Sequence, residues 1–168
     1  MIKLLLLDVD GTLTDGKINI SANGEMFKSF DIKDGFALYG LMPKAGITPV
    51  IITGRESKIT EFRCRELGIF EFYQGVSDKL TKIIEITSQH NCDLGECAYI
   101  GDDINDYAAM SLCGFRACPI NAIDEIKSMA DYVSSLPAGF GAVRDICDYI
   151  LRMQGKYADV YKSYGLEE

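Results

Sequence analysis

The sequence predicts a doubly wound, Rossmann-like α/β fold in which a mostly parallel sheet carries helices on both faces. Short β-rich runs alternate with stretches of helical length along nearly the whole chain, and that alternation indicates parallel strands joined by helical crossovers. The opening run Lys3–Leu7 is almost wholly apolar, as a strand buried on both faces should be. Polar clusters recur just after several of the runs, where open α/β sheets collect ligands.

In chain order, the strand candidates are Lys3–Leu7, Thr48–Ile52, Phe70–Tyr73, Ala98–Gly101, Phe115–Cys118 and Tyr132–Val133. Helical patterns fall at Gly35–Ala45, Lys58–Leu67, Asp78–Asn91, Asn105–Leu112, Ile123–Met129 and Val143–Met153. Right-handed crossovers between such units wind the sheet in both directions. One stretch breaks the pattern. Lys17–Ile20 and Glu25–Ile32 flank Ser21-Ala22-Asn23-Gly24, and Asn-Gly between two β-rich segments is a strong hairpin signal. Lys17–Ile32 is therefore expected to project as a hairpin from the end of the first strand.

At 168 residues the chain suits one domain, residues 1–168, with one substantial core. No repeat, low-complexity tract or linker divides it. A formal charge of −8 argues against a reader of nucleic-acid backbones, which needs a basic face. A small anionic substrate remains compatible if a cation and local basic groups reverse the sign inside one pocket. No apolar stretch approaches the roughly 20 residues that span a bilayer, and the opening run is too short for a secretory core. The expectation is a cytoplasmic protein without a membrane partner. Cys64, Cys92, Cys97, Cys113, Cys118 and Cys147 form no Cys-x-x-Cys pair, and the lone His90 has no ligand partner at metal-site spacing. The cysteines read as reduced, packed thiols.

The expected chemistry lies at the strand ends. The first strand runs into Asp8-Val9-Asp10-Gly11-Thr12, and the second into Thr53-Gly54-Arg55. Lys79 opens the helix after the third, and the fourth ends in Gly101-Asp102-Asp103-Ile104-Asn105-Asp106. Each fragment alone has an ordinary explanation as a helix cap or a turn. Together, in this order, they resemble the four motifs of the haloacid dehalogenase superfamily: Asp-x-Asp, a Ser/Thr, a Lys and a paired acidic motif.

The resemblance implies a phosphatase with Asp8 as nucleophile and Asp10 as general acid and base. Thr53, Lys79 and the amides after Asp8 would hold the phosphoryl oxygens, and Gly11 would let the backbone approach phosphate. Carboxylates converging on one cleft repel each other unless a divalent cation sits among them, and Mg²⁺ favours such oxygen ligands. The family pattern assigns it the side chains of Asp8 and Asp102 with the carbonyl of Asp10. Asp103 and Asp106 would act behind them, orienting water or Lys79. The intervals Asp10–Thr53 and Thr53–Lys79 leave no room for a separate cap, so a capless member is expected.

A closer resemblance covers nearly the whole chain. Asp8–Gly16, Phe30–Gly35, Tyr73–Lys79, Ala98–Asp103 and Gly139–Arg144 are similar to the 3-deoxy-D-manno-octulosonate 8-phosphate phosphatase family. That family implies a sugar-acid phosphate substrate and a homotetramer in which the hairpins build a central barrel and a neighbouring subunit closes each site. A hairpin bearing Ile18, Ile20, Met26, Phe27 and Phe30 would be steadied by such pairing. Gly54 and Arg55 are expected beside the substrate, Arg55 offering a bidentate fork for a carboxylate or else pairing with Glu56 or Glu61. Arg63 is a further substrate-binding candidate, with Arg65 on the same helix. Similar enzymes act on nine-carbon ulosonate 9-phosphates, which are the alternative substrate, and Phe140 stands where many octulosonate phosphatases carry a basic residue. A catalytically silent module would lack one of Asp8, Asp10, Lys79 or Asp102, and all are present. The tail Gly155–Glu168 is expected either to fold over an adjacent site or to fray beyond the last helix.

Overall fold

The computed structural model describes residues 1–166. β1 (Leu4–Leu7) is buried along its whole length, because both of its faces are covered. Side chains alternate across a strand, so Leu5 and Leu7 enter one apolar cluster while Leu4 and Leu6 enter the other. Burying each leucine is worth roughly 1.5–3 kcal/mol, which explains why this run sits at the centre of the sheet.

After β1 the chain makes the expected hairpin, β2 (Asn19–Ser21) paired antiparallel with β3 (Gly24–Phe27). Gly24 takes the positive φ of 111° that the tight turn requires. A register shift between Asn19 and Ile20 bends the ribbon, and a lone bridge from Thr14 to Phe30 ties its base to the loop after β1. Ile18, Ile20, Met26, Phe27 and Ile32 are all exposed on the single chain.

The helix expected at Gly35–Ala45 begins earlier, because Asp31 caps α1 (Ile32–Phe36) by accepting from the amides of Lys33 and Asp34. It passes through a π-helical turn at Ala37–Leu41 into α2 (Met42–Lys44). β4 (Thr48–Ile52), α3 (Lys58–Glu66) and β5 (Phe72–Tyr73) follow. The strand expected from Phe70 is thus shorter: it lies at the sheet edge, where Phe70 is 76% exposed and gains nothing from pairing. α4 (Lys79–Gln89), capped by Asp78, leads to β6 (Cys97–Ile100) and α5 (Ile104–Leu112). β7 (Phe115–Cys118), α6 (Asp124–Met129), β8 (Tyr132–Val133), α7 (Ala142–Met153) and α8 (Tyr157–Lys162) complete the order.

The main sheet has the order β5-β4-β1-β6-β7-β8, with every pair parallel. From β1 the chain moves outward through β4 to β5, then returns to β6 on the other side and moves outward again. That reversal creates a crevice between the carboxyl ends of β1 and β6. α1, α2, α3, α7 and α8 cover one face, and α4, α5 and α6 cover the other. Between Thr53 and Lys79 lie only α3 and β5, so the fold is capless.

The tail corrects the expectation of a frayed end. Val160 is buried, the Tyr161 hydroxyl donates to Asp148 Oδ1 at 2.6 Å, and the Tyr164 hydroxyl donates to the carbonyl of Gly40 at 3.1 Å. α8 and the turn after it therefore dock on their own chain, and Glu167 and Glu168 lie outside the described residues. The cysteines are free, and all but Cys92 are buried. Burial pushes their thiols up, that of Cys64 to about 11. No helix among the described residues is long and apolar enough to cross a membrane.

Candidate active site

Asp8 is the first residue beyond β1, and its amide donates to the carbonyl of Ile100 on β6 at 3.1 Å. The loop then turns sharply: the amides of Thr12, Leu13 and Thr14 all converge on the carbonyl of Val9 at 2.8–3.1 Å. Gly11 makes the turn with φ of 88°, and a Cβ there would lie 2.1 Å from Asp102 Oδ2. Only glycine fits, because the loop must pass directly against the acid at the end of β6. Thr12 secures that contact by donating its hydroxyl to Asp102 Oδ1 at 3.1 Å.

Lys79 enters from the start of α4. Its ammonium lies 2.6 Å from Asp106 Oδ1 and 3.0 Å from Asp8 Oδ1, and its side chain is 2% exposed. Asp106 is fully buried and heavily engaged. It also accepts from the Tyr99 hydroxyl at 2.9 Å and from the amides of Asp102 and Asp103 at 3.1 and 3.4 Å. It thereby fixes both the lysine and the turn that carries Asp102. Asp103 is exposed and caps α5, accepting from the amide of Ile104 at 2.7 Å.

The electrostatics follow from three acids gathered beside one ammonium, which pairs with only two of them. Oxygens of Asp8, Asp102 and Asp106 all lie within 4.8 Å of one another. Burial and the charge of Asp106 outweigh Lys79 and raise the Asp8 carboxyl to about 6. Burial and the charges of Asp8 and Asp106 raise Asp102 to about 7. Burial alone would lower Lys79, but Asp8 and Asp106 hold it above the ordinary lysine range, so it stays an ammonium. The site thus has a surplus of buried negative charge on hard oxygen donors. With Asp106 occupied by Lys79, Tyr99 and two amides, Asp8 and Asp102 are the carboxylates suited to a hard divalent cation such as Mg²⁺.

Facing this cluster is a cleft of about 120 Å³ lined by Asp8, Asp10, Thr53, Gly54, Arg55, Asp103 and Asn105. Thr53 is buried at the end of β4, held by its amide to the carbonyl of Tyr73 at 2.9 Å and by its carbonyl to the amide of Val76 at 3.1 Å. A groove of about 390 Å³ near Leu38, Pro49 and Phe70 is larger but gathers no comparable set of titratable groups. The smaller cleft is the one that gathers the titratable groups.

The structure brings together Asp8, Asp10, Gly11, Thr53, Gly54, Lys79, Asp102 and Asp106, with Asp103 on the rim. Arg55 belongs with them: its Nε is 3.9 Å from Asp10 Oδ2 and its side chain is 47% exposed, rather than pairing with Glu56 or Glu61. Arg63 does not join them. Its guanidinium pairs with Glu66 at 2.7 Å, packs over the Phe30 ring and borders an enclosed apolar cavity beside Asp34. Arg65 pairs with Glu61 at 2.9 Å on the helix surface. Helical position alone could not tell which arginine faces the cleft.

Several residues of the site escaped the sequence reading. Lys28, just after β3, contacts Asp10 and Glu25, and Glu25 accepts from the Ser57 hydroxyl. No local spacing marks a hairpin lysine as a partner of Asp10. Tyr99 falls in a strand and in the resemblance segment Ala98–Asp103, but nothing local marks its hydroxyl as the partner of Asp106. Asn105 lay inside the acidic motif, two residues beyond Asp103, and its position there was the available signal.

A family model for haloacid dehalogenase-like hydrolases matches residues 51–143, which span Thr53, Lys79 and the Asp102–Asp106 segment. The 3-deoxy-D-manno-octulosonate 8-phosphate phosphatases of Escherichia coli K12 and Salmonella typhi are each 40% identical over 155 residues, covering 92% of this chain and 82% of theirs. Among solved structures, the Moraxella catarrhalis phosphatase of that name, in complex with magnesium, phosphate and KDO, superposes with a TM-score of 0.91 at 38% identity. The match covers 97% of this chain and 93% of that one. The cobalt-bound Haemophilus influenzae deoxy-D-mannose-octulosonate 8-phosphate phosphatase gives 0.89 at 39% identity, covering 94% and 91%.

Proposed function

Because the chain belongs to the haloacid dehalogenase-like hydrolases, and within them to the 3-deoxy-D-manno-octulosonate 8-phosphate phosphatase family, we propose that it is a Mg²⁺-dependent phosphatase that hydrolyses that eight-carbon sugar-acid phosphate. The observation that carries the reading is the convergence of Asp8, Lys79, Asp102 and Asp106 at the β1–β6 crevice, with Asp10 and Arg55 across the same cleft. Residues 1–168 act in this reading as one catalytic domain.

Asp8 is the nucleophile. A carboxylate oxygen attacks phosphorus, the bond to the sugar oxygen breaks, and an aspartyl-phosphate forms. Asp10 gives a proton to the departing oxygen, then takes one from the water that attacks the aspartyl-phosphate. That second displacement releases inorganic phosphate and restores Asp8. The Lys79 ammonium, the Thr53 hydroxyl and the amides following Asp8 balance charge on the equatorial oxygens. Asp8 and Asp102, with the carbonyl of Asp10, would hold Mg²⁺, which when bound neutralises the charge these acids share with the phosphoryl group. Asp103 and Asp106 act behind them, and Asp106 aims Lys79. Arg55, exposed at the cleft mouth beside Gly54, is placed to receive the substrate carboxylate. The exposed apolar side chains of the β2–β3 hairpin support assembly as a homotetramer through that ribbon.

The test is Mg²⁺-dependent phosphate release from 3-deoxy-D-manno-octulosonate 8-phosphate, set against nine-carbon ulosonate 9-phosphates and a hexose phosphate, with Asp8→Asn as the blank. Preference for the eight-carbon compound, lost in the variant, supports the reading. Preference for a nine-carbon compound keeps the mechanism and moves the substrate, consistent with the exposed Phe140 near the start of α7. No Asp8-dependent release from any of them overturns the substrate class.

A further inference from the structure

The hairpin reaches the cleft through a network that the reaction scheme above leaves unused. The Lys28 side chain is 2% exposed, and its ammonium contacts Asp10 Oδ1 and lies 3.1 Å from Glu25 Oε1. Glu25 is held in turn by the hydroxyl of Ser57, whose oxygen also caps α3 by accepting from the amide of Thr60 at 3.2 Å. Arg55 Nη2 stands 3.9 Å from Glu25 Oε1. A buried ammonium is tolerated only when it is closely paired, because desolvation otherwise costs several kcal/mol. Lys28 is therefore fixed between two acids, and it fixes them.

The two oxygens of Asp10 are consequently unlike. Oδ1 is taken by Lys28, whereas Oδ2 is buried without a hydrogen-bond partner among the described residues. A charge-assisted bond to one carboxylate oxygen sets the plane of the group and the direction of the other. Leaving a buried acceptor unpaired is unfavourable, and a role in catalysis is one reason a native fold retains such an atom. Resting on the assignment of Asp10 as general acid and base, we propose that Lys28 is its positioning residue. By holding Oδ1, it leaves Oδ2 as the oxygen that donates to the departing sugar alkoxide and later accepts the proton of the attacking water. The acid–base group is thus aimed from the hairpin as well as from the loop after β1.

The experiment compares wild type, Lys28→Met, Lys28→Gln, Lys28→Arg and Asp10→Asn on two esters, 3-deoxy-D-manno-octulosonate 8-phosphate and p-nitrophenyl phosphate. The first leaves as an alkoxide that needs a proton, and the second as a phenolate that does not. Lys28→Met should lower the single-turnover rate of sugar release about 100-fold, the lower end of a general acid contribution. Its KM should stay within about 3-fold, and the single-turnover burst of nitrophenolate, which needs no proton from Asp10, should lose less than about 5-fold. Hydrolysis of the aspartyl-phosphate, common to both esters, should slow equally for the two. Lys28→Arg, which keeps the charge, should recover at least part of the loss on the sugar ester. Thermal melts of all variants establish that they are folded, and Lys28→Gln, which also removes the charge, carries the test if Lys28→Met is not. Equal losses of the first displacement on both esters in folded Lys28→Met or Lys28→Gln, or no loss on either ester, overturn the proposal. If Asp10→Asn discriminates between the esters while the Lys28 variants do not, only the role of Lys28 falls. If Asp10→Asn itself fails to discriminate, the assignment of Asp10 falls with it.

Discussion

Asp106 offers the sharpest test of how the site is held together. In Asp106→Asn the shape is kept, and the remaining oxygen can still accept from Lys79 and Tyr99. The new amide nitrogen replaces Oδ2, however, so the N–H groups of Asp102 and Asp103 face a donor instead of an acceptor. Each orphaned buried amide costs about 1–3 kcal/mol. Breaking a buried ion pair costs about 3–5 kcal/mol when the surviving charge is left alone, but Asp8 still stands 3.0 Å from Lys79 and reduces that loss. Relief of the repulsion that Asp106 exerts on Asp8 and Asp102 returns on the order of 1 kcal/mol. The net expectation is a destabilisation of about 3 kcal/mol. For a chain of this size that lowers Tm by roughly 6–12 °C. Differential scanning calorimetry at neutral pH without added metal reads it directly. In parallel, carbon NMR of the carboxyl groups should show Asp8 titrating at lower pH than in wild type, because the like charge of Asp106 that raises it has gone. A fall in Tm below about 2 °C, or an Asp8 carboxyl that moves upward, would refute the account of Asp106 as the shared acceptor of the site.

Two further outcomes follow from the same structure. Asp8, Asp102 and Asp34 have carboxyls raised to about 6, 7 and 6, each chiefly by burial. Between about pH 7 and the unfolded carboxylate range near 4, the native state therefore holds protons that the unfolded chain has shed, and stability must rise as pH falls. The metal-free protein should show a higher urea midpoint near pH 5.5 than near pH 7.5, and saturating Mg²⁺ should shrink or reverse the difference because it binds the ionised acids; a metal-free midpoint that falls on acidification contradicts this. Separately, Tyr161→Phe removes a hydroxyl that donates to Asp148 and accepts from Arg144 at 2.6 Å. It should cost about 1–2 kcal/mol in urea unfolding while leaving phosphatase kcat within about 2-fold, and unchanged stability would mean that this contact does not hold α8.

Much of the molecule was legible from local chemistry. The alternation of strand and helix patterns, the apolar Leu4–Leu7 run and the Asn23-Gly24 turn each specify their element through short-range physics: burial on both faces, helical periodicity, and a backbone turn that glycine accommodates. Boundaries moved where capping or edge position intervened. Asp31 drew α1 forward to Ile32, and the sheet edge trimmed β5 to Phe72–Tyr73. The acids and the lysine were legible because each sits within a few residues of a strand end, so parallel pairing of β1, β4 and β6 carries them to one crevice.

What only the tertiary structure decided is how those groups divide their work. That Asp106 serves Lys79, Tyr99 and two amides while Asp8 and Asp102 are raised by mutual repulsion depends on angstrom-scale distances between segments nearly a hundred residues apart. Arg55 faces Asp10 while Arg63 turns to Glu66 and Phe30, a choice set by helix rotation and packing. Lys28 meets Asp10 because the hairpin folds back on the loop after β1, and the tail docks because Tyr161 finds Asp148 on α7 and Tyr164 the carbonyl of Gly40. A sequence determines which residues arrive at the end of each strand through local propensities. Which of their atoms meet is fixed only when the whole core packs, because hydrogen bonds and charge interactions change steeply over distances smaller than one residue.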